Sequence, residues 1–189
     1  FAPLTSNFIP YFIAADVTGS DYIFKDIMQP EMWNSIMSVA LGIGMIIMAI
    51  FISTRPQKEK IIKTLRIGFI AIDLLMVSLA VIYFLFFKEV FNINVILLAL
   101  SIGALLIGLT LPFINIPTST KVMTLTEKDK LGKVSSVMDV GSQGLIPLSN
   151  LLAGLVISSF GPSWLLIICA SGLCLLTVVL FINKQIKQL

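Results

Sequence analysis

Residues 134–161, VSSVMDVGSQGLIPLSNLLAGLVISSFG, decide how the rest of the chain is interpreted. The stretch is long enough to cross a bilayer, which takes about 20 residues of helix, yet it carries polar and helix-loosening residues. On a helix, spacings of 4, 4, 3 and 4 place five of these on one face: Asp139, Gln143, Pro147, Asn150 and Gly154. The opposite side is mostly Val, Leu and Ile. A membrane helix of this kind turns its polar side toward protein or water.

The composition of the whole chain predicts an integral membrane protein. Its 189 residues are 57% hydrophobic and 12% charged, whereas soluble domains carry roughly 25% charged residues. The absence of histidine excludes a His-based proton relay and a His metal site. Cys169 and Cys174 are too few for a zinc site or a disulfide framework, so we interpret them as small buried hydrophobic residues.

Apolar runs divide the chain into five complete spans and part of a sixth. We therefore predict an all-α, polytopic membrane helix bundle. The predicted complete spans are 33–53, 67–87, 93–117, 134–160 and 163–182. Residues 1–14 are apolar but lack the features of a signal peptide, so we interpret them as the end of a helix that starts upstream.

Small residues and prolines predict where helices approach closely or bend. Close helix contact is expected at Gly42 and Gly44, and along a small-residue edge of Ser101, Ala104 and Gly108. Pro112 and Pro117 are expected to kink or loosen the end of their span. Thr126, three residues before Asp129, is a candidate capping box for a short helix.

The distribution of basic residues predicts the orientation. Eleven Lys and Arg side chains fall in the loops of one side and in the C-terminal tail, and only Lys25 and Lys88 fall on the other side. Cytoplasmic loops carry the excess of Lys and Arg, so we expect a multi-pass plasma-membrane protein with a cytoplasmic C-terminus. Trp33, Tyr83 and Trp164 fall near the predicted outer interface, which such rings prefer.

Asp139 and Asp73 are the two carboxylates well inside predicted spans. An ionised Asp costs about 2.5–3.5 kcal/mol at the centre of a membrane helix, and a carboxyl group in a medium of low dielectric constant can exchange a proton near neutral pH. Proton-coupled transport requires such a group. The alternative is that each Asp pairs with a Lys or Arg and anchors a helix end. We favour that alternative for Asp73, which has no polar stripe around it, and leave both open for Asp139.

The remaining candidate residues extend the polar face or resemble it. Gln143 and Asn150 continue the face of Asp139, although such amides can also serve as interhelical contacts worth about 0.6 kcal/mol. Pro147 and the glycines around it could make the helix bendable, as in transporters, although proline and glycine are common in membrane helices generally. Weaker candidates for a polar lining are Thr5, Asn7 and Asn115.

Motifs for other chemistries are missing. The sequence contains no nucleotide-binding G-x-x-x-x-G-K-[ST] or G-x-G-x-x-G motif and no H-E-x-x-H or G-x-S-x-G motif. We therefore expect no enzyme activity, no cofactor and no metal. The basic loops fit membrane topology and anionic lipids better than nucleic-acid binding.

Several runs resemble the major facilitator superfamily, in particular the C-terminal half of macrolide-efflux and siderophore exporters. The runs are KLGKV at 130–134, GLIPL at 144–148 and LLAG at 151–154, together with a basic loop at 54–63 after Gly42 and Gly44. Lys133 and Val134 match the end of an R-G-R-V-like turn. A P-L-G-x-L-x-A-G-like run is matched by Pro147, Leu148, Leu151, Ala153 and Gly154, with Ser149 in place of the usual glycine.

This resemblance implies a twelve-helix transporter of two halves, with residues 1–189 supplying part of the seventh helix through the twelfth. Its expected partners are a small-molecule substrate, protons, the lipid bilayer and the missing N-terminal half. We therefore expect proton-coupled efflux of macrolide-like drugs or other amphipathic compounds by alternating access, typical of an antiporter that confers antibiotic resistance. The alternatives are a non-transporting membrane scaffold or oligomeric channel, and, less favoured, a membrane subunit of an ATP-driven exporter.

Overall fold

The computed structural model describes residues 8–18, 21, 22, 26, 29–54 and 61–182, with the side chains of 8, 15, 61–63, 142, 162, 163 and 180 excepted. The regular secondary structure in this part of the chain is helical. No strand occurs in these ranges, so the predicted all-α class is confirmed. The helices are α1 (Phe8–Phe12), α2 (Met32–Ser53), α3 (Ile61–Phe87), α4 (Ile93–Leu125), α5 (Leu131–Phe160) and α6 (Pro162–Ile182). A π-helical turn, Ile13–Val17, continues α1, and a 3₁₀ turn, Lys128–Lys130, precedes α5.

Four of these helices are long and apolar enough to cross a membrane. The qualifying segments are Met32–Ser53, Thr64–Phe87, Ile93–Leu125 and Lys128–Phe160. In α6 the described apolar stretch, Trp164–Val179, is shorter. Large apolar side chains cover the outer surfaces of the helices, which in water would be an exceptional exposed area. Length and composition therefore favour a membrane location.

The bundle is organised around α4, which packs against both α2 and α3; α3 packs in turn against α6, and α6 against α5. The α2–α4 contact brings two backbones together at Gly44 and Gly108. A Cβ on Gly44 would lie 2.9 Å from the Leu109 nitrogen, and a Cβ on Gly108 would lie 3.1 Å from the Leu41 Cα. The predicted close contact is thus found at Gly44 and Gly108, whereas nothing lies within 4 Å of a Cβ added to Gly42.

A core of large side chains closes one end of the bundle. Phe12 meets Tyr83 and Phe86 in edge-on ring contacts, with centroids 5.9 and 6.0 Å apart. Trp33 belongs to the same buried cluster. Trp33 and Tyr83 therefore pack inside the protein, and of the three rings predicted for the outer interface only Trp164 is largely exposed.

The prolines of α4 do not end the helix. Although the span was expected to end near Pro117, α4 runs through Pro112 and Pro117 to Leu125. Both prolines are buried, so the surrounding helices hold this segment even though each proline lacks an N–H donor. The capping box predicted for Thr126 and Asp129 does not form, because Thr126 follows the last turn of α4 and its hydroxyl donates to the Val122 carbonyl oxygen at 2.7 Å. No side chain caps α5.

Two tight turns join consecutive helices. At the end of α3, the Val90 N–H donates to the Leu85 oxygen and the Glu89 N–H to the Phe86 oxygen, which is the Schellman arrangement. Glu89 takes the left-handed position of that motif with φ 58°. Gly161 alone separates α5 from α6, with φ 86°, a conformation that glycine adopts without steric cost. Pro162 then opens α6, where its missing N–H is not needed.

Candidate functional site

The polar face predicted for residues 134–161 lies on one continuous helix. α5 runs unbroken from Leu131 to Phe160 despite Pro147, so the spacing of the polar residues carries over to the structure. Asp139, Gln143, Pro147 and Asn150 are all exposed. We call these four residues the polar stripe.

The rest of the bundle leaves most of α5 uncovered. Its buried side chains are Ala153 and Ile157, one turn apart, and its main neighbour is α6. The side opposite the stripe exposes mainly apolar groups, including Val137, Leu148 and Leu155. Acyl chains can cover that apolar side, but covering the polar stripe requires protein or water.

The serine hydroxyls near the stripe are satisfied within α5 itself. Ser136 donates to the Gly132 oxygen at 2.8 Å, Ser149 to the Ile146 oxygen at 2.8 Å and Ser158 to the Leu155 oxygen at 3.1 Å. A hydroxyl bound in this way has used its proton and can only accept a further hydrogen bond. The groups of the stripe itself are a carboxylate and two amides, of which the amides can also donate.

Of the weaker candidates, Asn115 lies apart from the stripe. Asn115 is exposed on α4, which packs mainly against α2 and α3, so the structure does not bring it together with the stripe. Nearby, the Thr118 hydroxyl donates to the Ile114 oxygen at 2.6 Å. Thr5 and Asn7 lie outside the described residues.

Asp73 is buried, whereas Asp139 is exposed. The Asp73 side chain is 8% exposed, and its Oδ1 has no hydrogen-bond partner among the described residues. Thr177 on α6 is 9% exposed, and its hydroxyl likewise has no partner in the described part of the chain. The ion pair expected for Asp73 is not formed with a described basic residue. Instead, Arg66 on the same helix stacks its guanidinium on the Phe181 ring, 4.8 Å from the centroid.

A second polar contact joins the turn after α1 to α3. The Tyr83 hydroxyl donates to Asp16 Oδ2 at 3.2 Å, and the Tyr83 side chain is 1% exposed. Burial raises the pKa of the Asp16 carboxyl above its ordinary value, and the hydrogen bond from Tyr83 partly offsets that rise. The sequence signal for this pair is weak, because the residues are 67 positions apart.

The described residues show neither a cluster of metal ligands nor a disulfide. In the described part of the chain, no three His, Cys, Asp or Glu side chains group as metal ligands would. Cys169 is buried and Cys174 half-buried, both as free thiols. No protein-family model matches the chain, and neither the curated proteins nor the solved structures provide a match.

Proposed function

We propose that the chain forms the C-terminal half of a two-half secondary transporter of the major facilitator type, in the plasma membrane with a cytoplasmic C-terminus. The observation that carries the proposal is the uncovered polar stripe of α5. These exposed polar groups belong against protein or water rather than acyl chains, and a second bundle across a water-filled cavity provides such surroundings. The likeness of 130–134, 144–148 and 151–154 to exporters of this superfamily points the same way.

In this proposal, the stripe lines the path shared by substrate and proton. Asp139 binds and releases the coupling proton, while Gln143 and Asn150 hydrogen-bond polar groups of an amphipathic substrate such as a macrolide-like drug. Alternating access rocks this bundle against the other half around the site. Efflux then follows from proton entry, as in an antiporter.

The test is proton-driven efflux by the protein expressed from its complete reading frame in cells. Asp139→Asn should abolish efflux while expression and membrane insertion are kept, because an amide cannot carry the proton. Asp129→Asn is the matched control, since Asp129 is an exposed carboxylate in the 3₁₀ turn before α5. Wild-type efflux by Asp139→Asn would assign Asp139 to structure and refute its role in coupling.

The orientation is tested separately with single cysteines in a background lacking Cys169 and Cys174. A cysteine in place of Glu89 should react with a membrane-impermeant maleimide added outside cells, and one in place of Lys60 should react only after permeabilisation. The reverse pattern would overturn the cytoplasmic placement of the basic loops and of the C-terminus.

A second candidate function is a non-transporting scaffold or oligomeric channel. The same uncovered stripe favours it, because amides on one copy could pair with those of another. Asn150→Cys distinguishes the two: rapid disulfide formation between identical subunits in native membranes would favour the oligomer. Exclusively monomeric protein would favour the transporter.

A further inference from the structure

A partly enclosed cavity of about 630 Å³ lies inside the bundle, away from the polar stripe. It is lined by α1, α2, α3, α4 and α6, whereas α5 contributes no lining residue. Small-molecule sites occupy roughly 300–1,000 Å³, so the cavity is large enough to hold a ligand. It is also distinct from the surface on which the proposed function depends.

The cavity is long rather than round. Along α4 its lining runs from Leu100 to Ile114, and along α3 from Phe69 to Leu79. At 1.5 Å per residue the α4 lining covers about 21 Å. One leaflet of the hydrocarbon core is about 15 Å thick, half of the whole. A single extended acyl chain therefore fits along this lining.

Polar groups occur at one end of the cavity. Among the described lining residues, the polar side chains are those of Asn34 and Ser38, which lie one turn apart near the start of α2. The Ser38 hydroxyl donates to the Asn34 carbonyl oxygen at 2.8 Å, so it can accept a further hydrogen bond. The Asn34 amide can both donate and accept.

The described lining residues carry no charge. None of them is Lys, Arg, Asp or Glu, so a phosphate or carboxylate head group would find no cation among the described lining residues. A hydrocarbon chain in the apolar part of the cavity would also make dispersion contacts with its walls. The chemistry favours one long hydrocarbon chain with a neutral, hydrogen-bonding head.

We propose that this cavity binds a neutral single-chain amphiphile, such as a monoacylglycerol. Its hydroxyl-bearing head lies at Asn34 and Ser38, and its chain follows α4 toward Ile114. The site requires a membrane location but not transport. It can therefore fail or succeed independently of Asp139 and the polar stripe.

The experiment uses the purified full-length protein in phosphatidylcholine nanodiscs. The probe is a 16-carbon monoacylglycerol with a diazirine near the end of its chain, and labelled peptides are located by mass spectrometry after photolysis. Labelling should concentrate near Phe69 and Ile114 and should disappear with excess unlabelled monopalmitoylglycerol. A phosphatidylcholine carrying the same photoactivatable chain should not label these positions.

Two variants and a matched control test the pose. Ile107→Phe puts bulk into the middle of the lining and should reduce labelling at least tenfold. Ile102→Phe makes the same change on the same helix at a side chain that is 57% exposed and absent from the lining, so labelling should not change. Asn34→Leu removes the head-group hydrogen bonds and should reduce labelling about five- to tenfold at low probe concentration.

Three outcomes would overturn the proposal. Labelling spread evenly over the outer faces of the helices would indicate surrounding lipid only. Wild-type labelling of both Ile107→Phe and Asn34→Leu would place the probe elsewhere. Equal labelling of the lining by the phosphatidylcholine probe would refute a neutral-head site. If Ile107→Phe does not fold, Asn34→Leu and the comparison of the two probes still decide the question.

Discussion

The contact between α2 and α4 leads to a sharp prediction, because glycine is the only residue that lets these two backbones come so close. Gly108→Ala adds a Cβ that would run into the Leu41 carbonyl oxygen and lie 3.1 Å from the Leu41 Cα. Gly44→Ala adds a Cβ that would lie 3.0 Å from the Gly108 carbonyl carbon. The atoms in the way are backbone atoms, which cannot rotate aside, so the helices must separate.

The expected cost follows from that separation. Overpacking of a tight contact costs about 1–3 kcal/mol, and a gap of about 0.5–1 Å between surfaces loses a quarter to a half of their dispersion attraction. Part of this cost is offset because alanine favours the helix over glycine by about 1 kcal/mol. We therefore expect Gly44→Ala and Gly108→Ala each to destabilise the protein by about 1–2 kcal/mol. The double variant should cost less than the sum, because either change alone already separates the helices.

The measurement is the midpoint of SDS-induced unfolding in mixed micelles, followed by the fluorescence of buried Trp33. Gly42→Ala is the matched control, since Gly42 lies two residues before Gly44 on α2 and an added Cβ there would meet nothing within 4 Å. That control should be neutral or stabilising by up to about 1 kcal/mol. Equal midpoints for Gly42→Ala and Gly108→Ala would refute the close contact of the two backbones.

Three further predictions use the same unfolding assay. Thr177→Val replaces a buried hydroxyl that has no partner among the residues described and should stabilise by about 1 kcal/mol; a loss would reveal a hydrogen bond. Glu89→Gly relieves a left-handed residue with φ 58° and should stabilise by about 1 kcal/mol, with Val90→Gly as a control that should not. Burial raises the pKa of Asp16, so the folded protein favours the protonated carboxyl. The stabilisation from this preference is complete below the unfolded-state pKa of Asp16 and is lost as the pH rises through the folded-state pKa. Asp16→Asn should flatten that fall, and an unchanged pH profile would contradict the burial of this carboxyl.

Much of the helical framework could be predicted from the sequence, because apolar runs and turn residues are local signals. The break at Gly161 lies between the predicted spans 134–160 and 163–182, and α2 begins one residue before the predicted span 33–53. The end of α4 could not be predicted, because Pro112 and Pro117 break isolated helices but are held here by the helices packed around them.

The candidate site shows the same division between local and distant information. Periodicity correctly placed Asp139, Gln143 and Asn150 along one helix, since all three lie on α5. It could not indicate which neighbour would cover a given face. Asp73 has apolar neighbours along α3 and no stripe, and its burial against the rest of the bundle arises from packing between distant segments. The Asp16–Tyr83 hydrogen bond is a tertiary contact of the same kind.

The composition of α5 has a consequence for how the protein enters the membrane. Its segment has a mean hydropathy of 1.5, against 2.4 or 2.5 for the other three candidate spans. Asp139, the ninth residue of α5, adds to the cost of insertion into the membrane, although less than the roughly 2.5–3.5 kcal/mol of an Asp at a helix centre. A single residue separates α5 from the strongly apolar α6, so the two helices can enter the membrane together as a hairpin. In that hairpin, Ala153 and Ile157 of α5 pack toward α6. Biogenesis of the helix bearing Asp139 thus depends on the helix synthesised after it.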